Sequence, residues 1–456
     1  MALFFESTNP YTRQVIDRLE AHSSGEVAQM LDSSTRAFQD WKNRPLQFRL
    51  ELLRRLAGSI EKQVDMLAMA MVEEMGKTLT EARAEVQKCA ATIHFFVENA
   101  PNWLEPQTIP TDARLSQVVY QPTGAVLLVM PWNFPLWQSI RAAVPSLCLG
   151  NVILLKHAPN VFRYAGITER LFTESGFPEG VFQSIRVEVD RLDAICAHPI
   201  VTGVSLTGSE QAGRSMAAVA GKHLKKCVLE LGGSDPFIVM PDADLETTAD
   251  MAAKARLINN GQSCIAAKRF LVHESVEETF LDVFARKLSA YAPGDPSLPT
   301  TLLGPQARPD LAKKLHQQME ASLAEGAELF FQVPGTHPNP NFFMPAILRN
   351  VHPGMTCFAQ EVFGPIAAVT RFKTEDEAIH LANDTKYGLG ATIHTRNEEM
   401  AARMALKLDC GTVAINSMVR SKASLPFGGI KASGFGRELS EHGLYEFANA
   451  KAISWS

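Results

Sequence analysis

The chain has 456 residues, of which 46% are hydrophobic and 20% charged, with a net charge of −5. Such a length divides into two or three domains of a soluble globular protein, and the dispersed lysines and arginines exclude the cationic stripe of a nucleic-acid binder. The opening MALFFESTNP has no basic residue ahead of its apolar ones, unlike a secretory signal, and the longest strongly apolar run, GAVLLVM at 124–130, is far too short to cross a bilayer.

In chain order, the first hundred residues read as mainly helical. Apolar residues recur at helical spacing through Phe48, Leu50, Leu52, Leu53 and Leu56, and again through Val64, Leu67, Met71 and Met75. The segment LEPQTIPTDARLSQVVYQPTG predicts an extended arm or hairpin. From Gly124 a βα rhythm begins: GAVLLVM, NVILLK, GVSLTGS and CVLELGG are short apolar runs of the kind buried in parallel sheets, with helices predicted over 160–175 and 210–224. A second series has helices over DLETTADMAAKARLIN and SVEETFLDVFARKLSAY and strands at RFLVHE, IAAVTRF, ATIHT and TVAIN. Strands alternating with helices predict a doubly wound α/β architecture, and the Pro- and Gly-rich stretches 291–309 and 333–345 read as loops. Seven cysteines, none spaced as CxxC, point to a reducing, cytoplasmic setting without structural zinc, and the twelve histidines form no metal-ligand pattern.

Cys264 lies in NNGQSCIAAKRF (259–270), behind Gly261, Gln262 and Ser263, where a thiol kept for packing has little to pack against. Glu230 ends the run CVLE and opens onto Leu231-Gly232-Gly233, at a strand edge where open α/β sheets place ligands. A thiol and a carboxylate without a partnered histidine suggest a nucleophile and a base acting through water. In MPWNFPLWQ, Asn133 sits between Pro131 and Pro135. It reads either as an oxyanion donor, worth roughly 3–4 kcal/mol, or as an Asx-turn cap of the next helix. Lys156 emerges from the run LLK, and LTGSEQAG places Gly208, Ser209 and Gly213 at a strand-to-helix turn with N–H groups open to a phosphate. EVFGPI and LPFGGIKASGFGRELS carry Glu361, Phe363 and Glu438 in turn-rich settings.

In this order, MPWNFP, LLK, TGS, LELGG, GQSC, EVFGP and PFGGIKxSGFGRE closely resemble the motifs of the aldehyde dehydrogenase superfamily, from about Asn9 to near the C-terminus. The resemblance implies an α/β aldehyde dehydrogenase-like fold: a Rossmann-like cofactor domain over 1–106 and 122–233, an α/β catalytic domain over 234–436, and a small β oligomerisation arm from 107–121 and 437–456. Cys264 is implied to be the nucleophile, forming a thiohemiacetal and then a thioester, with Asn133 and the Cys264 backbone N–H as the oxyanion site. Glu230 would activate the hydrolytic water, and Glu438 matches a second carboxylate that assists proton transfer. Met130, Pro131, Trp132, Lys156, Gly208, Ser209, Glu361 and Phe363 are implied to meet the cofactor. That cofactor is expected to be NAD, with NADP use open, because Pro159 stands where NAD-preferring members often carry Glu.

Arg141, eight residues after Asn133, is implied to grip the distal carboxylate of succinate semialdehyde, as in bacterial-type succinate semialdehyde dehydrogenases, with Phe134 also on the substrate. The alternative is a solvated helix arginine. The second arginine that some of those members carry six residues before the nucleophile is Ile258 here; Arg420 or Lys422 is the candidate replacement cation, with a surface loop charge as the commoner explanation. An acylating coenzyme-A-dependent relative usually lacks the base that Glu230 represents. A cysteine hydrolase would need a Cys–His signature, and a non-catalytic relative would have lost the nucleophile or the base. The expected partners are a small-molecule aldehyde and further copies of the chain, as a homodimer or homotetramer, with no nucleic acid and no membrane. If the helix before Cys264 ends near Asn259, its negative end disfavours the thiolate, and activation has to come from elsewhere.

Overall fold

In the computed structural model, which describes residues 3–456, the run GAVLLVM becomes the strand Ala125–Met130 at the centre of a six-stranded sheet. The strand order is Gly434–Phe435, Lys226–Glu230, Val201–Thr207, Ala125–Met130, Val152–His157 and Phe182–Ser184, parallel except for the short Gly434–Phe435 edge. Its strands read as unbroken apolar runs because neither face meets water; all six residues of Val152–His157 are buried. From Ala125–Met130 the chain winds outward through 152–157 and 182–184, then returns to the other side with 201–207 and 226–230. Ligands bind in open α/β sheets at the crevice where the winding reverses. Met130, Thr207 and Glu230 end the strands beside that crevice.

A second sheet of seven strands runs Glu328–Gln332, Ala346–Arg349, Ile366–Phe372, Ala267–His273, Asp235–Val239, Gly390–His394 and Thr412–Ile415, with only the first pair antiparallel. Gly434–Phe435 falls in the stretch expected to belong with this second sheet, yet it pairs with Lys226–Glu230 of the first. Gly434 makes the close approach feasible: its φ is 113°, and a Cβ there would sit 1.9 Å from the Leu229 carbonyl oxygen. Ala448–Trp455 pairs along its whole length with Leu115–Pro122, and Gln107–Thr108 adds a third strand, so the expected arm is a sheet built from two distant segments.

The first hundred residues are helical over Ser24–Trp41, Leu46–Lys62, Val64–Met75 and Leu79–Trp103. Ahead of them lies a hairpin that sequence reading missed, Phe4–Thr8 against Val15–Glu20. Asn9 makes its turn, its Oδ1 accepting from Tyr11 N at 2.9 Å and Thr12 N at 3.0 Å. Among the described residues, no helix is long and apolar enough to cross a membrane.

Candidate active site

A cavity of about 350 Å³ opens at the carboxyl edge of the six-stranded sheet, and Cys264, Asn133, Glu230, Glu361 and Phe363 all line it. The helix ahead of the cysteine, Leu245–Leu257, stops two residues earlier than expected. Asn259 (φ 55°, ψ 44°), Asn260 (φ 58°, ψ 28°) and Gly261 (φ 78°) then take left-handed conformations in succession. Asn and Gly are the residues that adopt this region at least cost. Three such residues turn the chain off the helix axis and bring Cys264 to the cavity wall. Gly261 is also fixed by space, since a Cβ would stand 2.6 Å from the carbonyl carbon of Gly364.

Side chains satisfy the backbone of this irregular turn. Asn259 Nδ2 donates to the carbonyls of Asn133 (2.8 Å) and Gln262 (3.1 Å), and Asn260 Nδ2 donates to those of Gly76 (3.0 Å) and Pro305 (3.1 Å). The buried Lys268 Nζ donates to the carbonyls of Cys264 (2.7 Å) and Ser263 (3.0 Å). Burial pushes the Cys264 thiol up to about 11, with Lys268 and then Arg141 pulling it down and Glu361 and Asp235 pushing it further up. Sequence reading left the source of activation open. The structure supplies two cations, Lys268 and Arg141, that oppose burial.

Asn133 is 4% exposed and does not cap the helix Pro135–Leu149; Phe134 holds that position, without a side-chain cap bond. The Asn133 Oδ1 accepts from Gln138 Nε2 at 3.0 Å, and its Nδ2 donates one hydrogen to the Gln262 carbonyl at 3.0 Å. An amide nitrogen has two hydrogens, so one remains for the cavity. The missing cap is provided from elsewhere: Glu85 Oε1 accepts the N–H groups of Leu136 (3.0 Å) and Trp137 (2.9 Å). Glu85 is ion-paired to the buried Lys77, whose Nζ lies 4.2 Å from the centre of the Phe134 ring. One turn earlier on the same helix, Glu81 Oε1 accepts the Asn259 N–H at 2.7 Å. Sequence reading assigned neither Glu81 nor Glu85 a role. Their spacing of four is visible, but nothing local shows that they reach two loops far along the chain.

Glu230 is 2% exposed and ends its strand at the cavity. Burial first, and then Glu438, push its carboxyl well above the ordinary range, while Arg141 and Arg437 oppose. Glu438 accepts from Ser205 Oγ at 2.9 Å and is ion-paired with Arg141. Arg141 is 3% exposed, which removes the solvated-arginine alternative. Its guanidinium is ion-paired with Glu438 and donates to Thr207 Oγ1 at 3.3 Å. Arg420 has the position of a surface loop charge, the alternative to a replacement cation. In its extended loop, alternate residues face opposite ways, so Arg420 and Lys422 are exposed while Ser421 between them is buried.

On the cofactor side, Pro131, Trp132, Gly208, Ser209, Glu361 and Phe363 line the cavity. Ser209 caps the helix Glu210–Lys222 through Ala212 N at 3.2 Å, at the kind of helix start that binds phosphate groups. Glu361 Oε1 accepts from Gly233 N at 3.0 Å and lies 3.6 Å from Lys268 Nζ. Trp132 and Phe363 stand edge to face at 5.9 Å. Lys156 and Met130 are buried at their strand ends, outside the cavity lining, and burial pushes Lys156 down to about 8. Arg308, Lys314, Leu311 and Gln318 also line the cavity and had no sequence signal. Among the described residues, no group of three or more His, Cys, Asp and Glu side chains is placed to hold a metal ion.

The family model for the aldehyde dehydrogenase family matches residues 3–453, and the chain belongs to that family. It is 42% identical over 451 residues to a succinate-semialdehyde dehydrogenase (NADP(+)) of Deinococcus radiodurans, covering 98% of this chain and 94% of the relative. It is 41% identical over 447 residues to the succinate semialdehyde dehydrogenase (NAD(P)+) of Escherichia coli K12, covering 98% and 97%. A crystal structure of succinic semialdehyde dehydrogenase from Streptococcus pyogenes with NADP+ superimposes with a TM-score of 0.96 at 35% identity, covering 98% and 99%.

Two outcomes follow from this geometry. Alkylation of Cys264 by iodoacetamide in cofactor-free protein, read against Cys264→Ala, should keep accelerating from about pH 7 to about pH 10; a plateau below about pH 8 would contradict the raised thiol. Glu85→Ala should cost on the order of 3–5 kcal/mol, because Lys77 is left buried and unpaired. It should therefore show a lowered Tm together with reduced kcat.

Proposed function

We propose that this protein oxidises succinate semialdehyde to succinate with NAD(P). The observation that carries the reaction type is that Cys264, Asn133 and Glu230 face one cavity at the sheet's switch point. The substrate assignment is supported by the names of the relatives above and by the buried Arg141. The cavity suits a dinucleotide: the start of the helix Glu210–Lys222 with Gly208 and Ser209 would take the pyrophosphate, Glu361 a ribose hydroxyl and Phe363 the nicotinamide side, with Lys156, just outside the lining, as the second ribose contact. When bound, the nicotinamide supplies the hydride acceptor. Pro159 presents no carboxylate to a 2′-phosphate, which supports NADP use.

As the Cys264 S–H proton is lost through water to solvent, the sulfur attacks the aldehyde carbon, and the oxyanion accepts hydrogen bonds from the free Asn133 Nδ2 hydrogen and the Cys264 N–H. Loss of hydride from this thiohemiacetal leaves a thioester on Cys264. Glu230, holding its proton to higher pH than an ordinary glutamate, is a correspondingly strong base when ionised and takes a proton from the attacking water. The same donors hold the second oxyanion, which collapses to release the acid and restore the sulfur. Arg141 with Glu438 sets the charge around Glu230. The part-exposed Leu115–Pro122 and its partner Ala448–Trp455 suit strand pairing between copies, in a cytoplasmic homodimer or homotetramer.

The test is kcat/KM for succinate semialdehyde against butanal, which lacks only the carboxylate. A preference of about a hundredfold is expected from a desolvated charge-assisted contact; equal values would leave only a general aldehyde dehydrogenase. Glu230→Gln should release one reduced cofactor per site and then stall as the thioester, and steady turnover would remove its role as base. In the wild type, the hydrolytic step should rise with pH through a value well above the ordinary carboxylate pKa of about 4.3.

A further inference from the structure

Lys156, which is buried, and Lys88, which is half-buried, lack the partner that the other cations inside the protein have. Lys77 pairs with Glu85, Arg141 with Glu438 and Lys268 with Glu361, while Arg49, Arg256 and Arg269 each donate to two or more backbone carbonyls. Among the described residues, no ion pair forms at Lys156 or at Lys88. An ammonium withdrawn from water without a counter-charge is costly, so an unmatched one inside a binding region marks a place for an anionic or polar ligand group. Lys156 stands at the cofactor strand. Lys88 lies beside Trp137, outside the lining of the cavity described above, and nothing so far has used it.

Lys88 follows Glu81 by seven residues and Glu85 by three, which puts all three on one face of the helix Leu79–Trp103. Its Nζ lies 3.8 Å from the centre of the Trp137 ring and donates to Ser421 Oγ at 2.6 Å. Two of its three hydrogens are left over. The Arg141 guanidinium stands 5.9 Å from the same Trp137 ring and 5.0 Å from the Phe427 ring. Lys88 is close enough to Arg141 and to Cys264 for their charges to act on it. The thiol, an aromatic wall and two cations therefore share one neighbourhood, and only the Lys88 cation is not already matched by a protein carboxylate.

We propose that Lys88, held against Trp137 by Ser421, is the specificity-determining receptor for the terminal carboxylate of the aldehyde, in the role for which Arg420 was a candidate. The proposal rests on the ω-carboxy aldehyde reading above and names the group that recognises the acid. Arg141 acts as the second cation, its charge shared with Glu438. Trp137 and Phe427 offer apolar surface to the methylenes between the two ends of the substrate.

A lysine receptor has a signature that an arginine would not have. The titratable and charged groups acting on Lys88 are Arg141 from the helix Pro135–Leu149, Cys264 from the nucleophile turn, and Glu85 and Cys89 on its own helix. In the remaining neighbouring segment Ser421 is neutral, and Arg420 and Lys422 face solvent. Burial and then Arg141 push Lys88 down to about 8, against the pull of Cys89, Glu85 and Cys264. The ammonium is therefore charged below about pH 8 and loses its charge above it.

The experiment measures kcat/KM for succinate semialdehyde and for butanal, and follows their ratio, so that steps common to both aldehydes cancel. In the wild type the ratio should fall about tenfold or more between about pH 7 and about pH 10. Lys88→Arg should hold the ratio high across that range, because a guanidinium stays charged. Lys88→Met should lower the ratio about tenfold or more at about pH 7 and make it independent of pH. A Lys88→Met enzyme that keeps the wild-type ratio, or a wild-type ratio flat with pH, overturns the proposal and leaves the succinate semialdehyde reading standing. A wild type with no preference at about pH 7 removes that reading and the proposal together. If Lys88→Met does not fold, the wild-type and Lys88→Arg profiles decide alone.

Discussion

Both halves of the catalytic site hang on two carboxylates of one helix, the half-buried Glu81 and the buried Glu85. Glu81 takes the N–H of Asn259 at the start of the nucleophile turn, and Glu85 takes the first free N–H groups of the helix that follows Asn133. Neither loop can satisfy its own backbone, because one runs through left-handed residues and the other enters a helix with no side-chain cap. Buried N–H groups must find acceptors. Drawing both acceptors from a single rigid helix fixes the distance between the sulfur loop and the amide loop more tightly than either loop could on its own. Lys77 and Phe134 offset the charge that this arrangement buries.

The electrostatics of the site run against the nucleophile. Burial raises Cys264 and Glu230 alike, so both hold their protons more strongly than free thiols and carboxylates do. Buried Lys268 and Arg141 counter this only in part. A thiol kept neutral in the resting protein is also protected from oxidation and stray alkylation, because the thiolate is the reactive form. The same burial makes Glu230 a useful base. One physical term thus sets two roles, and they are separated by which cations stand near each group.

The architecture was legible where hydrophobic period and turn chemistry agree. The runs at 124–130, 152–156, 203–207 and 227–230 could be read as parallel strands because unbroken apolar runs of that length suit a sheet covered on both faces. Asn133, Glu230 and Cys264 stand at the ends of such elements, and their motifs carried enough of the family pattern to be recognised. What stayed hidden depends on contacts between distant segments. Nothing in GFG near 434 announces a strand that returns to residue 230. Nothing in EARAEVQK shows that Glu81 and Glu85 hold the backbone of the loops that carry residues 133 and 264. Arg141 was rightly singled out as unusual, yet its counter-ion Glu438 lies almost three hundred residues away. Arg420 and Ser421 differ in which way the loop turns a side chain, and that cannot be read from the amino-acid types alone.

The antiparallel edge strand at 434–435 also sets the order in which the protein can be completed. It covers Lys226–Glu230, which carries the base, but the ribosome makes it about 200 residues later. At roughly 5–20 residues per second, that edge waits on the order of 10–40 s for its cover. The partner of Leu115–Pro122 comes later still, at Ala448–Trp455. The nascent cofactor half therefore displays two unpaired strand edges while the second sheet is being synthesised. Open edges template wrong pairings, so this interval is when the growing chain is most exposed to them.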